Sequence, residues 1–239
     1  MAYAAIFDLD RTLIAGSSAQ VFGGMLNDVG IKTPKAPGHS LYFRLYERFG
    51  EDPIMMRLAR QSSRLFTNHR VGAVEAAGLL AADVLINAVY PDARAEIERQ
   101  RRSGAVLVLA TTSSHDLVWP LAQALGVDEL ICTHFRAVDG VYDGTIDGEY
   151  VWGAQKAAAV ATWAGTNGID LPQSWAYSDS WYDVALLELV GTPIAVNADA
   201  RLRALAFARR WTIRDFEQPR WHARTEAKLM KSIVSVLPR

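Results

Sequence analysis

A short apolar run, Tyr3-Ala4-Ala5-Ile6-Phe7, gives way without a spacer to Asp8-Leu9-Asp10-Arg11-Thr12-Leu13. Apolar residues in unbroken succession, bounded by polar ones, read as a strand buried on both faces, as in a parallel sheet. The carboxylates of Asp8 and Asp10 then fall at the strand's carboxyl end, where α/β sheets place their sites. Two acids one residue apart crowd one polar pocket, and only a cation or a shared proton relieves their repulsion. A divalent metal with hard oxygen ligands supplies such a cation. The structural alternative is an acidic loop that caps a helix.

The same rhythm recurs downstream. Apolar runs at Val106 to Ala110, Glu129 to Thr133, Ser174 to Tyr177 and Pro193 to Val196 read as further strands. Helical patterns lie between them. One opens at Pro91 and closes at Gly104; another starts at Ser113 or Ser114 and ends at Gly126; others cover Ala154 to Ala164 and Trp181 to Leu189. Alternating strands and helices predict right-handed crossovers and a Rossmann-like, mostly parallel α/β sheet. This core is expected from 1–16 and 91–216.

Residues 17–90 break the rhythm. They show helical stretches at Ser18 to Val29, His39 to Phe49, Pro53 to His69 and Ala73 to Tyr90, and no convincing strand. In the last stretch Leu79, Leu80, Asp83 and Asn87 are spaced for a two-faced helix. An all-helical insert after the first strand reads as a cap over the sheet's carboxyl edge. Its positive charges gather between Arg44 and Arg70, among Tyr42, Phe43, Tyr46, Phe49 and Phe66. Most of these read as a solvated face; the functional alternative has one or two arginines meeting an anionic substrate. Residues 217–239 form a tail. Within it Leu229, Met230, Ile233, Val234 and Leu237 oppose Lys228 and Lys231, which suits docking on the core, on a neighbouring subunit or on a membrane surface.

Composition bounds the function. With 239 residues, half of them hydrophobic and 21% charged, the chain is neither disordered nor of low complexity. A net charge of −1 argues against a whole-protein grip on nucleic acid. The single cysteine, Cys132, forms no internal disulfide and suits a reducing compartment. It lies in an apolar strand with no activating neighbour evident, a poor setting for a nucleophile. No apolar run reads as a membrane span and the N-terminus lacks a basic start, so a cytoplasmic protein without a transmembrane segment is expected. Oligomeric state is left open.

Three further signals complete the set. In Tyr177-Ser178-Asp179-Ser180-Trp181-Tyr182-Asp183, just past a strand, a helical turn puts Asp179 and Asp183 on one face; capping by Asp179 accounts for one of them only. Thr111 ends the second strand, and the backbone amides of Thr112 and Ser113 open toward a helix start, a ready phosphate cradle. Lys156, in Gln155-Lys156-Ala157, is weak by itself because a lone helix lysine is usually solvated.

In this order the four motifs resemble those of the haloacid dehalogenase-like phosphatases, in the phosphoserine-phosphatase-like subclass IB, of actinobacterial type. Asp8-Leu9-Asp10-Arg11-Thr12 is similar to the first motif, Thr111 stands at the second, Lys156 at the third, and Asp179 with Asp183 at the fourth. Asp143-Gly144-Thr145-Ile146-Asp147-Gly148 is similar to the family's short hairpin; its aspartates are spaced too widely for a calcium loop. The resemblance implies a magnesium-dependent phosphomonoesterase. Asp8 would be the nucleophile and Asp10 the general acid and base. Asp8, Asp10, Asp179 and Asp183 would form the metal site, with Asp183 also placed to orient Lys156. Thr111, Thr112, Ser113 and Lys156 would bind phosphate, Thr12 would brace the loop, and Arg11 would face outward.

The resemblance also narrows the substrate. Phosphoserine phosphatases carry a glutamate shortly after the first motif that meets the substrate's ammonium group, and Ser17 stands in that place. A hydroxyl supplies no counter-charge, so a small or lipid-linked phosphate ester is expected rather than phosphoserine. The alternative is a catalytically silent phosphate-binding or regulatory module of the same fold. A receiver domain would be about half this length, and a dinucleotide-dependent oxidoreductase would need a Gly-x-Gly-x-x-Gly turn after the first strand, which is absent.

Overall fold

The computed structural model describes residues 2–33 and 53–216. Strand β1 (Ala4–Phe7) leads to helix α1 (Ser18–Asp28). Further on, α2 (Pro53–Arg60) runs into a 3-10 segment (Gln61–Phe66) and α3 (Val71–Ala88). Then come α4 (Pro91–Arg102), β2 (Val106–Ser114), α5 (His115–Leu125), β3 (Glu129–Val138) and β4 (Val141–Asp147). Helix α6 (Ala154–Asn167) precedes β5 (Trp175–Ser178), a 3-10 turn (Trp181–Asp183) and α7 (Val184–Leu187). Strand β6 (Thr192–Val196), α8 (Ala200–Arg209) and β7 (Thr212–Arg214) close the described chain.

The sheet runs β4-β3-β2-β1-β5-β6-β7, parallel throughout except for the β3–β4 hairpin. Strand β1 is central because its residues are fully apolar and alternate between two cores. Ala5 and Phe7 enter one, Ala4 and Ile6 the other, as the two-residue strand period requires. Helices α1, α3, α4 and α5 contribute to the first core, and α6, α7 and α8 to the second. The α/β core and the helical insertion after β1 are as the sequence predicts.

Several elements differ from expectation. Strand β2 continues through Thr111 and Thr112 to Ser114, and β3 runs past Thr133 to pair antiparallel with β4. The hairpin turn is Asp139-Gly140, both at positive φ, which gives the twist that a two-residue hairpin needs. Strand β7 was not foreseen; it is three residues long and half exposed, so it carries no apolar run. In α3, Leu79 and Leu80 lie on the solvent side with Asp83 and Asn87; the buried stripe is Val74, Ala77, Gly78, Ala81, Ala82 and Leu85. This helix has 18 residues at a mean hydropathy of 1.6, long and apolar enough to cross a membrane, contrary to the expected absence of such a run. Its small buried residues let it pack against α5 and α1. Arg57, Arg60, Arg64 and Arg70 are exposed, in keeping with a solvated face. The stretch from His39 to Phe49, with Arg44 and Arg48, and the tail 217–239 lie outside the described residues.

Gly78 sets the α3–α5 distance. A Cβ there would sit 2.4 Å from the Asp116 carbonyl oxygen and 3.0 Å from that of Leu117, both backbone atoms. Gly78→Ala is expected to lower stability by about 1–3 kcal/mol despite alanine's better helix propensity, because the helices must part. A urea unfolding curve at neutral pH measures it, and an unchanged or raised midpoint contradicts the close packing.

Candidate active site

The site is assembled at the carboxyl ends of three adjacent strands. Register pairs Phe7 with Tyr177 and with Leu109, so Asp8 follows one residue past that level and Asp179 and Thr111 two residues past it, all at the same edge of the sheet. Stacking of the Phe7 and Tyr177 rings at 4.4 Å and an Asp8 N–H bond to the Tyr177 carbonyl at 3.0 Å fix β1 against β5.

Lys156 ties the ends of the chain together. It lies in the first turn of α6, after Gly153, whose φ of +56° lets the chain turn in. Its Nζ donates to Asp8 Oδ1 and to Asp183 Oδ2, each at 2.8 Å. The lysine side chain is 1% exposed, and those of Asp8 and Asp183 11% and 1%. The weakest signal in the sequence is thus the best-buried cation among the described residues. Ser178 donates to the same Asp183 oxygen at 2.8 Å, while Asp183 Oδ1 is buried with no hydrogen-bond partner among the described residues.

Asp10 is positioned by the insert. Its Oδ1 accepts from the Ser18 amide at 2.9 Å, at the start of α1, and Ser17 Oγ lies 3.5 Å from Oδ2. Burial pushes the Asp10 carboxyl above the ordinary carboxylate range, against the opposing pull of Ser18, the Lys156 charge and Ser17. Ser18 Oγ is also 3.4 Å from Ser113 Oγ. Thr111 is buried, and its Oγ1 accepts from the Ser113 amide at 3.3 Å. That amide, one half of the expected cradle, therefore turns inward onto Thr111.

Three expectations need correcting. Arg11 does not face outward: its Nε lies 3.2 Å from Asp179 Oδ2, with side-chain exposures of 12% and 7%. Its φ of +60° is left-handed, costing a non-glycine residue about 1–2 kcal/mol, and this backbone turns the side chain inward. Thr12 does not brace the loop by hydrogen bonding, because its buried Oγ1 has no partner among the described residues. Asp179 and Asp183 do not share a helical face. Ser180 is the cap, accepting from the Tyr182 amide, and both aspartates are thereby released from capping.

The bracing comes from residues the sequence reading missed. Asn197 Nδ2 donates to the Arg11 carbonyl at 2.8 Å. Asp199 donates its amide to the Asp179 carbonyl at 2.8 Å and accepts from the Trp181 amide at 2.7 Å. The available signal was their place after β6, where a polar Asn and a helix-capping Asp follow an apolar strand end. Cys132 is buried, and its thiol is pushed up to about 12 by burial and by Asp116 and Glu129, which fits an inert side chain.

Among the described residues no three His, Cys, Asp or Glu side chains form a ready-made metal cluster. Lys156 and Arg11 instead hold the carboxylates in separate ion pairs. The donors nevertheless suit a hard divalent cation. All are carboxylate oxygens, and Asp183 Oδ1 is a buried acceptor without a donor. Among the described residues, Lys156 and Arg11 are ion-paired with the three carboxylates of Asp8, Asp183 and Asp179.

Residues 5–188 match the haloacid dehalogenase-like hydrolase family, to which the chain belongs. It falls in the phosphoserine-phosphatase-like subclass IB and is a phosphomonoesterase of that family. Over 225 residues it is 36% identical to phosphoserine phosphatase SerB1 of Mycobacterium tuberculosis strain H37Rv, covering 92% of this chain and 73% of that one. It is 35% identical over 222 residues to the inhibition of morphological differentiation protein of Streptomyces azureus, covering 90% and 79%. A protein of unknown function from Bordetella pertussis Tohama I shares the structure at a TM-score of 0.72 and 29% identity, covering 90% of this chain and 99% of that one.

Two stability experiments probe the buried charges. Lys156→Met strands two buried carboxylates, and a loss of about 3–5 kcal/mol is expected at pH 7.5. A loss within about 0.5 kcal/mol would show that the lysine is not needed to hold the two carboxylates. Asp10→Asn has the opposite sign. The folded protein holds the Asp10 proton more tightly than the unfolded chain, so wild-type stability falls as pH rises from the ordinary carboxylate range through the raised one. The metal-free variant should therefore melt higher than wild type at pH 7.5 and nearly equal to it below pH 4. Equal melting at both pH values would show that the carboxyl is not held protonated.

Proposed function

We propose that this chain is a magnesium-dependent phosphatase that forms an aspartyl-phosphate on Asp8 and acts on a small or lipid-linked phosphate ester rather than on phosphoserine. The Lys156 bridge between Asp8 and Asp183 carries this reading. It fixes one carboxylate oxygen of the nucleophile at an end of the sheet where Thr111 and Asp10 also emerge.

Asp8 attacks phosphorus, and the ester bond to the leaving oxygen breaks. Asp10, whose carboxyl burial pushes above the ordinary carboxylate range, donates its proton to the departing alkoxide. Once deprotonated, Asp10 accepts a proton from the water that cleaves the acyl phosphate, returning Asp8 as carboxylate and releasing phosphate. Thr111, the Thr112 amide, Ser113 and Lys156 bind the equatorial oxygens, where negative charge accumulates. Asp8, Asp179, Asp183 and the Asp10 carbonyl would hold magnesium, which when bound offsets the repulsion between a carboxylate nucleophile and a phosphate dianion. A reducing, cytoplasmic setting suits the lone buried thiol.

The substrate reading rests on Ser17. Its hydroxyl faces Asp10 at 3.5 Å, and a hydroxyl gives a substrate ammonium no counter-charge. The test is phosphate release from phosphoserine, sugar phosphates, glycerol phosphate and lysophosphatidate, with and without magnesium. Wild type is expected to turn over non-amino esters only with the metal. Asp8→Asn is expected to lose at least about a thousandfold in rate with an unchanged circular dichroism spectrum. Substantial turnover by the variant contradicts Asp8 as nucleophile, and no release from any ester favours the silent module. Lysophosphatidate cleaved no faster than glycerol phosphate removes the lipid-linked reading; phosphoserine as the best substrate removes the argument from Ser17.

A further inference from the structure

Arg11 is the feature of the site that the proposed chemistry does not use. It is held in an unfavourable left-handed conformation, and its backbone is clamped on both sides. Its carbonyl accepts from Asn197 at 2.8 Å and its amide donates to the Gly16 carbonyl at 3.2 Å. The guanidinium this delivers is nearly buried and paired with Asp179. Lys156 serves the other two carboxylates, Asp8 and Asp183. The cluster is thus neutralised from two sides by two different cations, one at each end of the acidic set.

We propose that Arg11 is a built-in stand-in for the divalent cation: its guanidinium neutralises Asp179 while the metal is absent and must leave that carboxylate when the metal binds. The inference rests on the metal reading above. A buried carboxylate without a cation is expensive, so the metal-free protein needs Arg11 to keep β5 and the first loop together. A guanidinium and a dication repel one another and compete for the negative charge of the Asp179 carboxylate. Metal binding therefore bears the cost of breaking the ion pair, and apparent affinity is reduced by the fraction of molecules in which the pair is formed. Arg11 is a positioning residue here. It exchanges tight metal binding for a site that stays assembled without metal.

Two variants separate charge from backbone. Arg11→Gly removes the cation and relieves the left-handed strain; Arg11→Asn removes the cation and keeps a residue that tolerates this conformation. Chelator-treated wild type and both variants are titrated with manganese, with free ion read by electron paramagnetic resonance, and with magnesium by calorimetry. Melting temperatures are recorded with and without magnesium. Both variants are expected to bind metal about tenfold more tightly than wild type, the loss of one charge-assisted pair. Metal-free, both should melt below wild type and show a larger rise on adding magnesium. If wild type binds metal but both variants bind equally or more weakly, the stand-in role is overturned and the proposed function stands. Tighter binding by Arg11→Gly alone also overturns it, because relief of strain then explains the gain. If neither wild type nor variants bind metal at millimolar concentration, the metal reading itself fails.

Discussion

The structure depends on a single ammonium group placed between two carboxylates that are 175 residues apart in the chain. Lys156 Nζ donates to Asp8 and Asp183 with almost no access to water. Such a group persists only when its partners arrive in good geometry, because an uncompensated buried charge costs several kcal/mol. Three things must therefore be true together. Strand β1 must lie beside β5, α6 must start where its first turn faces the strand ends, and the loop after β5 must bring Asp183 back toward Asp8. The Phe7–Tyr177 stack and the β1–β5 register supply the first, Gly153 the second, and the Ser180 cap with the Ser178 bond the third.

What was legible in the sequence follows from this. Strands buried on both faces have no polar alternation, so β1, β5 and β6 stand out as apolar runs, and polar residues at their ends mark the site directly. Lys156 was invisible to local reasoning, since nothing in Gln155-Lys156-Ala157 separates a buried lysine from a solvated one; only its order among the other motifs gave it a role. The β3–β4 arm was hidden for a different reason. From His134 onward its side chains are mostly exposed or half-buried, so apolar content carries no signal, and the Asp139-Gly140 turn was the cue to use. Arg11 and Thr12 were misread because side-chain direction in a tight loop follows from φ values, which a motif does not spell out. Asn197 and Asp199 act through bonds to distant residues, and distance along the chain conceals them.

The helical insert is part of the site as well as a cover for it. Ser18, the first residue of α1, gives Asp10 its principal hydrogen bond and touches Ser113 of the proposed phosphate cradle. At the other end of the insert, Ala88 accepts from Ala15 and Tyr90 donates to Leu13, so the C-terminus of α3 fixes the loop that carries Asp10. Phe22, Leu26, Val74 and Ala77 share one hydrophobic cluster with Phe7, Leu9 and Leu109 of the sheet. A displacement of α1 or α3 relative to the sheet would therefore change the environment of Asp10, and with it the proton transfer proposed for that residue.

This coupling gives the raised pKa of Asp10 a structural origin. An aspartate one residue from a nucleophilic carboxylate would titrate like any other if water reached it, and the site would then hold four anions against Lys156 and Arg11. The first residues of the insert turn the Ser18 amide and the Ser17 hydroxyl onto that carboxyl and leave it only partly open to water. Because desolvation outweighs the hydrogen bonds from Ser18 and Ser17, Asp10 holds its proton more readily, while the carboxylates of Asp8, Asp179 and Asp183 are held by cations. In the proposed mechanism two like groups on one short loop take opposite tasks, one as a charged nucleophile and one as a proton donor. The start of the helical insert is in this sense an electrostatic element, because its placement soon after β1 in the chain brings Ser17 and Ser18 onto Asp10.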